Sequence, residues 1–309
     1  MTALRIVFAG SPAAALPSLR ILNQSRHRVI AVITRADSPQ GRKAVSAPTP
    51  VAHYAVEHEI ESIRQNRLGD EVTERVRNLG PDLGVIVAYG ALVREPLLST
   101  PRLGWINLHF SLLPRWRGAA PVQHAIIAGD STTGAAVFQL VNDLDAGEVF
   151  AHIQQPIGAQ QTAGALLDTL ATAGAELLLG VVDSIADGTA RSRPQIGEVT
   201  TAPKLLLSDG EVQWRRPASS VFAQIRGVTP EPGAFTSLDG ARLKILEAAI
   251  AGEFSGIAPG ELRRVGKAVL VGTTTDPIEL LSVHPAGKRA MNAADWWRGR
   301  PSASAVVAE

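Results

Sequence analysis

The chain of 309 residues contains no cysteine, which excludes disulfide bonds, thiolate nucleophiles and cysteine-ligated zinc sites. Four patterns that often carry catalysis or nucleotide binding are also missing. They are the glycine-rich G-x-G-x-x-G turn, the P-loop, the H-E-x-x-H zinc helix and the G-x-S-x-G nucleophile turn. These absences argue against a dinucleotide cofactor, a P-loop NTPase, a zinc protease and a serine hydrolase.

Long apolar runs and net charge are scarce as well. No stretch approaches the roughly 18 uninterrupted apolar residues of a membrane span, and the N-terminal residues predict a strand, a turn and a helix, not a signal peptide. We therefore expect a cytoplasmic protein without a membrane partner. The formal net charge is +1, so that any RNA partner must be held by a local basic patch.

The chain is long enough for two domains, and its 45% hydrophobic content fits a globular protein. Short apolar strands alternate with amphipathic helices over residues 1–188, which is typical of an α/β fold with a mostly parallel sheet. The polar stretch 189–205 lacks hydrophobic periodicity, and we predict that it is a linker. Over residues 206–309, short alternating segments separated by turn signals predict a small β-barrel.

The most informative stretch is GWINLHFSLLPRWRGAAP at 104–121. Asn107 and His109 are two positions apart and therefore share one face of a predicted strand. One interpretation is a structural pair bonded to neighbouring loops, because an unpaired buried polar group costs a few kcal/mol. The other is a ligand site, because Pro114 ends the strand and open α/β sheets bind ligands beyond the carboxyl ends of their strands. The context favours the ligand site.

This stretch resembles the signature of the 10-formyltetrahydrofolate-dependent formyltransferases. The shared residues are an asparagine, a histidine, a serine, two leucines and a proline, here Asn107, His109, Ser111, Leu112, Leu113 and Pro114, followed by RGAAP. The family pairs this signature with a downstream Leu-Asp-x-Gly, and LDAG occurs here at 144–147. It usually carries glycine at the position of Phe110, which lies on the face opposite the polar pair. The resemblance covers nearly the whole chain and implies a Rossmann-like catalytic domain followed by an OB-like barrel.

The resemblance implies formyl transfer to an amine, with Asn107, His109 and Asp145 as the catalytic residues. Such a transfer passes through a tetrahedral carbon that bears a developing oxyanion. Asn107 offers an amide N–H donor, and His109 offers an imidazolium if a carboxylate such as Asp145 holds it protonated. Asp145 also offers a route for the amine proton. Aspartates in turns often only bond the backbone, and for Asp143 that alternative stays open.

The implied formyl donor is 10-formyltetrahydrofolate, and no metal is expected. In the family, the edge of an apolar strand lines the pterin pocket largely through backbone groups, and here that strand ends near residue 88. The loop after His109 is expected to complete the pocket. The predicted donor-binding residues are Val87, Ala88, Tyr89, Gly90, Ser111, Leu112, Leu113, Pro114 and Asp143.

The implied acceptor is the α-amino group of methionyl initiator tRNA. Residues 35–50 contain three prolines and three basic residues and predict a loop. In the family the corresponding insertion contacts the acceptor end of the tRNA, so we predict phosphate contacts for Arg42 and Lys43, with a solvated loop as the alternative. We expect a monomer. The further predicted tRNA contacts are Lys204, Arg215 and Arg216.

Two other functions remain open from the sequence. The first is a sister enzyme that formylates an amino sugar nucleotide, which activity with such a nucleotide and none with charged tRNA would identify. The second is a non-catalytic folate-binding or RNA-binding module. Asn107, His109 and Asp145 argue against this second function, because binding alone has no use for an oxyanion donor.

Overall fold

The computed structural model describes residues 2–40, 45–238, 240–299 and 306–307. The chain divides into two compact units. The first unit comprises Met1–Pro121, Thr132–Pro156 and Leu167–Ala202. The second comprises Val122–Ser131, Ile157–Leu166 and Pro203–Glu309.

Strands and helices are numbered along the chain. The strands of the first unit are β1 (Arg5–Gly10), β2 (Arg28–Thr34), β3 (Ser38–Gln40), β4 (Val45–Ala47), β5 (Glu61–Arg64), β6 (Leu83–Val87), β7 (Trp105–His109), β8 (Arg117–Gly118), β9 (Thr132–Gln139), β10 (Val149–Pro156) and β11 (Thr201–Ala202). The helices of the chain are α1 (Leu16–Asn23), α2 (Pro50–Glu57), α3 (Asp70–Leu79), α4 (Pro121–Ile127), α5 (Ala163–Ala186), α6 (Ala218–Gly227) and α7 (Ala293–Arg298). The strands of the second unit are β12 (Ala234–Leu238), β13 (Ala241–Ile250), β14 (Glu261–Val265), β15 (Ala268–Val271), β16 (Ile278–Pro285), β17 (Met291–Asn292) and β18 (Val306–Val307).

The first unit is built on a seven-stranded sheet with the order β10-β9-β7-β6-β1-β2-β5. The strands from β7 to β5 in this order are parallel to one another, and β9 and β10 add an antiparallel edge. This arrangement confirms the predicted mostly parallel α/β sheet. The chain reverses its direction of travel across the sheet between β1 and β6, and such switch points are where open α/β sheets bind ligands.

The neighbouring strands β6 and β7 are joined by an unusually close contact. Gly84 pairs with Trp105 in the parallel register, and the Trp105 ring is fully buried against it. A Cβ atom on Gly84 would lie 2.1 Å from Cδ2 of Trp105. The indole Nε1 donates to the carbonyl of Leu97 at 2.9 Å, which further fixes the ring. Glycine at position 84 is therefore what lets Trp105 fill the core beside the polar strand face.

We expect Gly84→Ala to lower the free energy of unfolding by about 1 to 3 kcal/mol, because the added methyl overlaps a ring that cannot move away. Denaturant unfolding followed by tryptophan fluorescence measures this change. Gly180→Ala is the matched control, since a Cβ there meets no atom within 4 Å and alanine favours the helix. Equal stability of the two variants would contradict the packing argument.

Helix α5 packs on the sheet through small and apolar residues. Leu170, Leu178 and Val182 are buried, and a Cβ atom on Gly174 would lie 3.0 Å from Cδ2 of Leu108. Within the described residues, α5 is also the one helix with the length and apolar composition to cross a membrane. Core helices pass the same test, and the buried leucines account for the composition of α5.

The second unit is an antiparallel sheet with the order β12-β13-β16-β15-β14-β18, and β17 pairs with β16. Its core contains Trp214, Val221, Ile225, Leu280 and Val283, so that helix α6 and the sheet share one apolar layer. Among the described strands, β12 and β18 do not pair with each other. The predicted small barrel is therefore an antiparallel half-barrel.

Two short elements were not predicted. The segment 35–50, predicted as a loop, contains the hairpin of β3 and β4, with Ser38 paired to Ala47. The edge strand β5 pairs with β2 but has only one fully buried residue, Ile63. Arg42 and Lys43 lie outside the described residues.

Candidate active site

The carboxyl ends of β1, β6 and β7 come together at the switch point of the first sheet. Gly10 pairs with Val87, and a Cβ atom on Gly10 would lie 2.8 Å from the Val87 carbonyl oxygen. On the other side of β6, Asn107 pairs with Ile86. The polar pair of β7 therefore stands beside the strand end at which a ligand of this fold class is expected.

His109 is buried, with 5% of its surface exposed, and a neighbouring carbonyl selects the tautomer of its ring. Its Nε2 atom lies 2.8 Å from the carbonyl oxygen of Trp116. A carbonyl oxygen only accepts hydrogen bonds, so Nε2 carries a proton and Nδ1 is the nitrogen that can take up or release one. The Phe138 ring packs edge-on against the imidazole, with ring centroids 6.4 Å apart. Loop and core thus fix the ring from two sides.

Asp145 is buried beside this free nitrogen. Its Oδ2 atom lies 3.8 Å from Nδ1 of His109 and accepts a hydrogen bond from the backbone N–H of Gly118 at 2.8 Å. The separation from His109 is longer than a hydrogen bond but short enough for an ion pair. Asp145 has a left-handed backbone with φ of +48°, which is uncommon for a non-glycine residue. The carboxylate is therefore held in place by backbone contacts and aimed at the imidazole.

Asn107 is the least restrained member of the trio. It is half-buried, and no hydrogen bond joins its side-chain amide to another described residue. Its two N–H groups and its carbonyl are therefore available to a ligand. Since one ring nitrogen of His109 is bonded to Trp116, Asn107 is the open N–H donor on this strand. The sequence predicted donors from both residues.

The loop after His109 is closed by its own polar groups. The hydroxyl of Ser111 donates to the carbonyl of Arg115 at 2.6 Å, and the N–H of Arg115 donates to the carbonyl of Leu112 at 3.1 Å. Ser111 is fully buried, so its side chain supports the loop from within. Pro114 is also buried, whereas Leu112 and Leu113 are half-buried. A ligand can reach the two leucines more readily than the serine hydroxyl.

The stretch predicted as a linker holds this loop from outside. Thr200 accepts hydrogen bonds from the N–H of Trp116 through its hydroxyl and from the N–H of Arg117 through its carbonyl, both at 2.9 Å. Strand β11 then pairs with β8, and a Cβ atom on Gly118 would lie 2.6 Å from the Ala202 carbonyl oxygen. Gly118 has φ of +125°. Residues up to Ala202 belong to the first unit, and those of β11 pair with the loop after β7.

The predicted donor-binding edge follows β6 and ends in two left-handed residues. Ala88 has φ of +50° and Gly90 has φ of +84°, and both are exposed. Tyr89 turns inward and its hydroxyl donates to the Gln65 carbonyl at 2.6 Å, while burial raises the pKa of its phenol. The Gly90 carbonyl accepts a hydrogen bond from Nη2 of Arg35 at 3.0 Å. The edge therefore offers backbone groups, with the Tyr89 side chain withdrawn.

The remaining predicted site residues that the structure describes are exposed. Asp143 is exposed in the loop between β9 and β10. Lys204, Arg215 and Arg216 are exposed in the second unit, and their side chains form no hydrogen bond or ion pair with described residues. No group of three or more His, Asp or Glu side chains in the described ranges could hold a metal ion.

Three residues that shape the site were not identified from the sequence. Trp116 and Gly118 contribute a backbone carbonyl and a backbone N–H, which any residue type could supply. Of the two, only Gly118 was marked in the sequence, because it belongs to the RGAAP motif. Thr200 lies in a polar stretch without periodicity and gave none. Backbone contacts of this kind leave little trace in residue type.

Comparison with known proteins places both units in one family. The family model described as "Formyl transferase" matches residues 4–182, and the model described as "Formyl transferase, C-terminal domain" matches residues 204–301. A methionyl-tRNA formyltransferase from Clavibacter michiganensis subsp. michiganensis is 58% identical over 296 residues, covering 96% of this chain and 97% of the relative. One from Leifsonia xyli subsp. xyli is 58% identical over 297 residues, with the same coverage.

Solved structures share the fold at low sequence identity. WlaRD, a sugar 3N-formyltransferase solved with dTDP and 5-N-formyl-THF, has a TM-score of 0.68 at 16% identity, covering 93% of this chain and all of that one. An N-formyltransferase from Helicobacter canadensis, solved with folinic acid and dTDP-3-aminofucose, has a TM-score of 0.69 at 17% identity, covering 90% and 98%. These likenesses concern the fold alone.

Proposed function

Since the chain belongs to the formyl transferase family, we propose that this enzyme transfers the formyl group of 10-formyltetrahydrofolate to the α-amino group of methionyl initiator tRNA. One observation carries the choice of acceptor: methionyl-tRNA formyltransferases are 47% to 58% identical to the chain over nearly its whole length. The reaction supports the start of translation and is assigned to the cytoplasm. A monomer carries both substrates.

The free amide of Asn107 stabilises the transition state. As the amine nitrogen attacks the formyl carbon, negative charge develops on the formyl oxygen. Asn107 is half-buried on strand β7, beside the switch point, where its amide N–H can face this oxygen. A donor that is held in place before the reaction needs no reorganisation when the charge forms. Asn107 therefore acts as the principal oxyanion donor.

His109 and Asp145 move the amine proton. The new C–N bond to the amine forms first and gives the tetrahedral carbon, and the bond from that carbon to N10 of the folate then breaks. One proton therefore leaves the amine and one reaches N10. Nδ1 of His109 is free to exchange a proton, and Asp145 lies 3.8 Å from it. A proton on Nδ1 makes the imidazole a cation paired with the carboxylate. The pair thus accepts the proton without leaving an isolated buried charge.

The formyl donor is assigned to the edge after β6 and to the loop after β7. The exposed backbone of Ala88 and Gly90 is suited to hydrogen bonds with a pterin ring, and half-buried Leu112 and Leu113 offer apolar surface. Val87, Tyr89, Ser111 and Pro114 support this pocket from the core. Asp143 is exposed in the loop before Asp145 and completes the assigned set.

Transfer of labelled formyl from 10-formyltetrahydrofolate tests the proposal directly. Purified chain is incubated with methionyl initiator tRNA in one arm and with a dTDP-linked amino sugar in the other. We expect saturable transfer to the tRNA alone. Transfer to the sugar alone would instead identify a sister enzyme that formylates an amino sugar nucleotide. Folate binding without transfer to either acceptor would leave a binding module.

The tRNA is assigned to basic residues of three segments. They are Arg42 and Lys43 of the first domain, 1–188, Lys204 of the linker, 189–205, and Arg215 and Arg216 of the second domain, 206–309. Replacing Arg215 and Arg216 together by alanine should raise the KM for tRNA about tenfold, since two phosphate contacts disappear. The slope of log KM for tRNA against log salt concentration should become shallower by about two. The KM for the folate should not change.

The control for this prediction is a second pair of adjacent arginines in the same unit. Arg263 is paired with Glu261 and Arg264 bonds the Gly266 carbonyl, so that both are already engaged. The double alanine variant of Arg263 and Arg264 should keep the native KM for tRNA. An equal rise in KM for both double variants would show a general charge effect and contradict the assigned contacts.

A further inference from the structure

The side chain of Gln195 joins the two loops that carry the active site. Its Nε2 atom donates to the carbonyl oxygens of Asp145, at 2.7 Å, and Gly147, at 2.8 Å. Its Oε1 atom accepts from Nη2 of Arg117 at 2.7 Å and from Nε of the same guanidinium at 3.2 Å. The two donors and the two acceptor positions of the amide are therefore all in use.

The loop of Asp145 depends on such an anchor. The backbone of Asp145 is left-handed, a conformation that surrounding contacts must hold in a non-glycine residue. Two positions later, a Cβ atom on Gly147 would lie 1.7 Å from the Gln139 carbonyl oxygen, so that the loop cannot move towards β9. Gln195 ties both carbonyls on the other side. These contacts hold the loop from both sides and so fix the direction in which the Asp145 carboxylate points.

The second loop is fixed by the other end of the same amide. Arg117 precedes Gly118, whose N–H binds the carboxylate of Asp145. Among the described residues the Arg117 guanidinium meets no carboxylate, and Gln195 is its side-chain partner. One amide thus contacts both Asp145 and Arg117, the residue that precedes Gly118. Displacing it lets the two loops separate and moves the carboxylate relative to His109.

We propose that Gln195 is a positioning residue for formyl transfer, which aims the Asp145 carboxylate at Nδ1 of His109 by clamping the two loops together. The inference rests on the proposed function. Gln195 bonds protein groups with every polar atom of its side chain, so it acts through Asp145 and not on the substrates. Its loss should therefore change the rate of the chemical step and leave substrate binding unchanged.

Gln195→Glu separates the two halves of the clamp. The variant keeps an acceptor for Arg117 but places an oxygen, instead of N–H donors, opposite two carbonyl oxygens. We expect kcat to fall about 100-fold, the scale of a misplacement of about 1 Å in an active site, with both KM values within about threefold of native. Gln154→Glu makes the same charge change at an exposed position on β10 and should keep the native kcat.

A double-mutant cycle distinguishes positioning from general support. In the Asp145→Asn background the carboxylate is already gone, so Gln195→Glu should lower kcat by less than about threefold more. A contribution to packing alone would give the same factor in both backgrounds. Methionine is similar in length to glutamine and, unlike glutamate, is uncharged. Gln195→Met should therefore reproduce the loss of kcat in the native background. Thermal unfolding of each variant shows whether the fold is retained.

Several results would overturn the positioning role. They are a native kcat in Gln195→Glu, an equal factor in both backgrounds, and failure of both the Glu and Met variants to fold, which would assign Gln195 to stability. Absence of transfer by the native chain would instead contradict the proposed function, and the positioning role with it. The native rate, measured beside each variant, distinguishes these two failures.

Discussion

Replacing His109 by alanine is expected to lower the kcat of formyl transfer about 1000-fold, within the range for loss of a general acid–base group. Nδ1 is the ring nitrogen that remains free, because Nε2 is bonded to the Trp116 carbonyl, and no other imidazole lies beside Asp145 in the part of the chain described. Single-turnover measurement of labelled formyl transfer gives the rate of the chemical step directly.

A second substitution separates catalysis from support of the loop. His109→Gln retains an amide N–H that can reach the Trp116 carbonyl but cannot exchange a proton, so it should be nearly as inactive as the alanine variant. His152→Ala, at an exposed position on β10, is the matched control and should keep full activity. Substantial activity in His109→Gln, less than about tenfold below native, would reduce His109 to a structural role.

Asp145→Asn is expected to lower kcat at least about 100-fold while the fold persists. The asparagine carbonyl can still accept the N–H of Gly118, so the change removes charge and proton affinity but not shape. Without the carboxylate, protonation of the buried imidazole would create an uncompensated charge. Steady-state kinetics with both substrates should therefore show a loss in kcat with little change in KM.

The control for this variant is Asp168→Asn, which makes the same change at an exposed position on α5. It should be indistinguishable from the native enzyme in kcat and in thermal unfolding. Full activity of Asp145→Asn would remove the carboxylate from the proton route. Formyl transfer would then depend on Asn107 and His109 alone.

Much of the catalytic unit could be predicted from the sequence, because its signals are local. Strand β6 is an apolar run followed by Gly90. Strand β7 alternates apolar residues with Asn107 and His109, which share a face through a spacing of two, and Pro114 follows in the loop. The hairpin loop that carries Asp145 is marked by its polar residues and by Gly147. In each case residue type reports directly on the position that the residue occupies.

The remainder depends on contacts that residue type does not reveal. The stretch 189–205 has no apolar periodicity because it attaches through backbone groups and through the polar side chains of Gln195 and Thr200. Strand β5 was missed because it is an edge strand with a single buried side chain, Ile63. That one ring nitrogen of His109 is committed to a carbonyl follows only from the path of the loop.

The loop after β7 and Thr200, which supports it, are far apart along the chain, and this has a consequence for biosynthesis. Trp116 is bound by Thr200, 84 residues later, although all strands of the first sheet have been made once β10 ends at Pro156. On the ribosome, the sheet can therefore form while the loop still lacks its outer support. At usual elongation rates Ala202 follows Pro156 by roughly 2 to 9 s. The strands of the sheet are thus available for pairing before Thr200 can support the loop after β7.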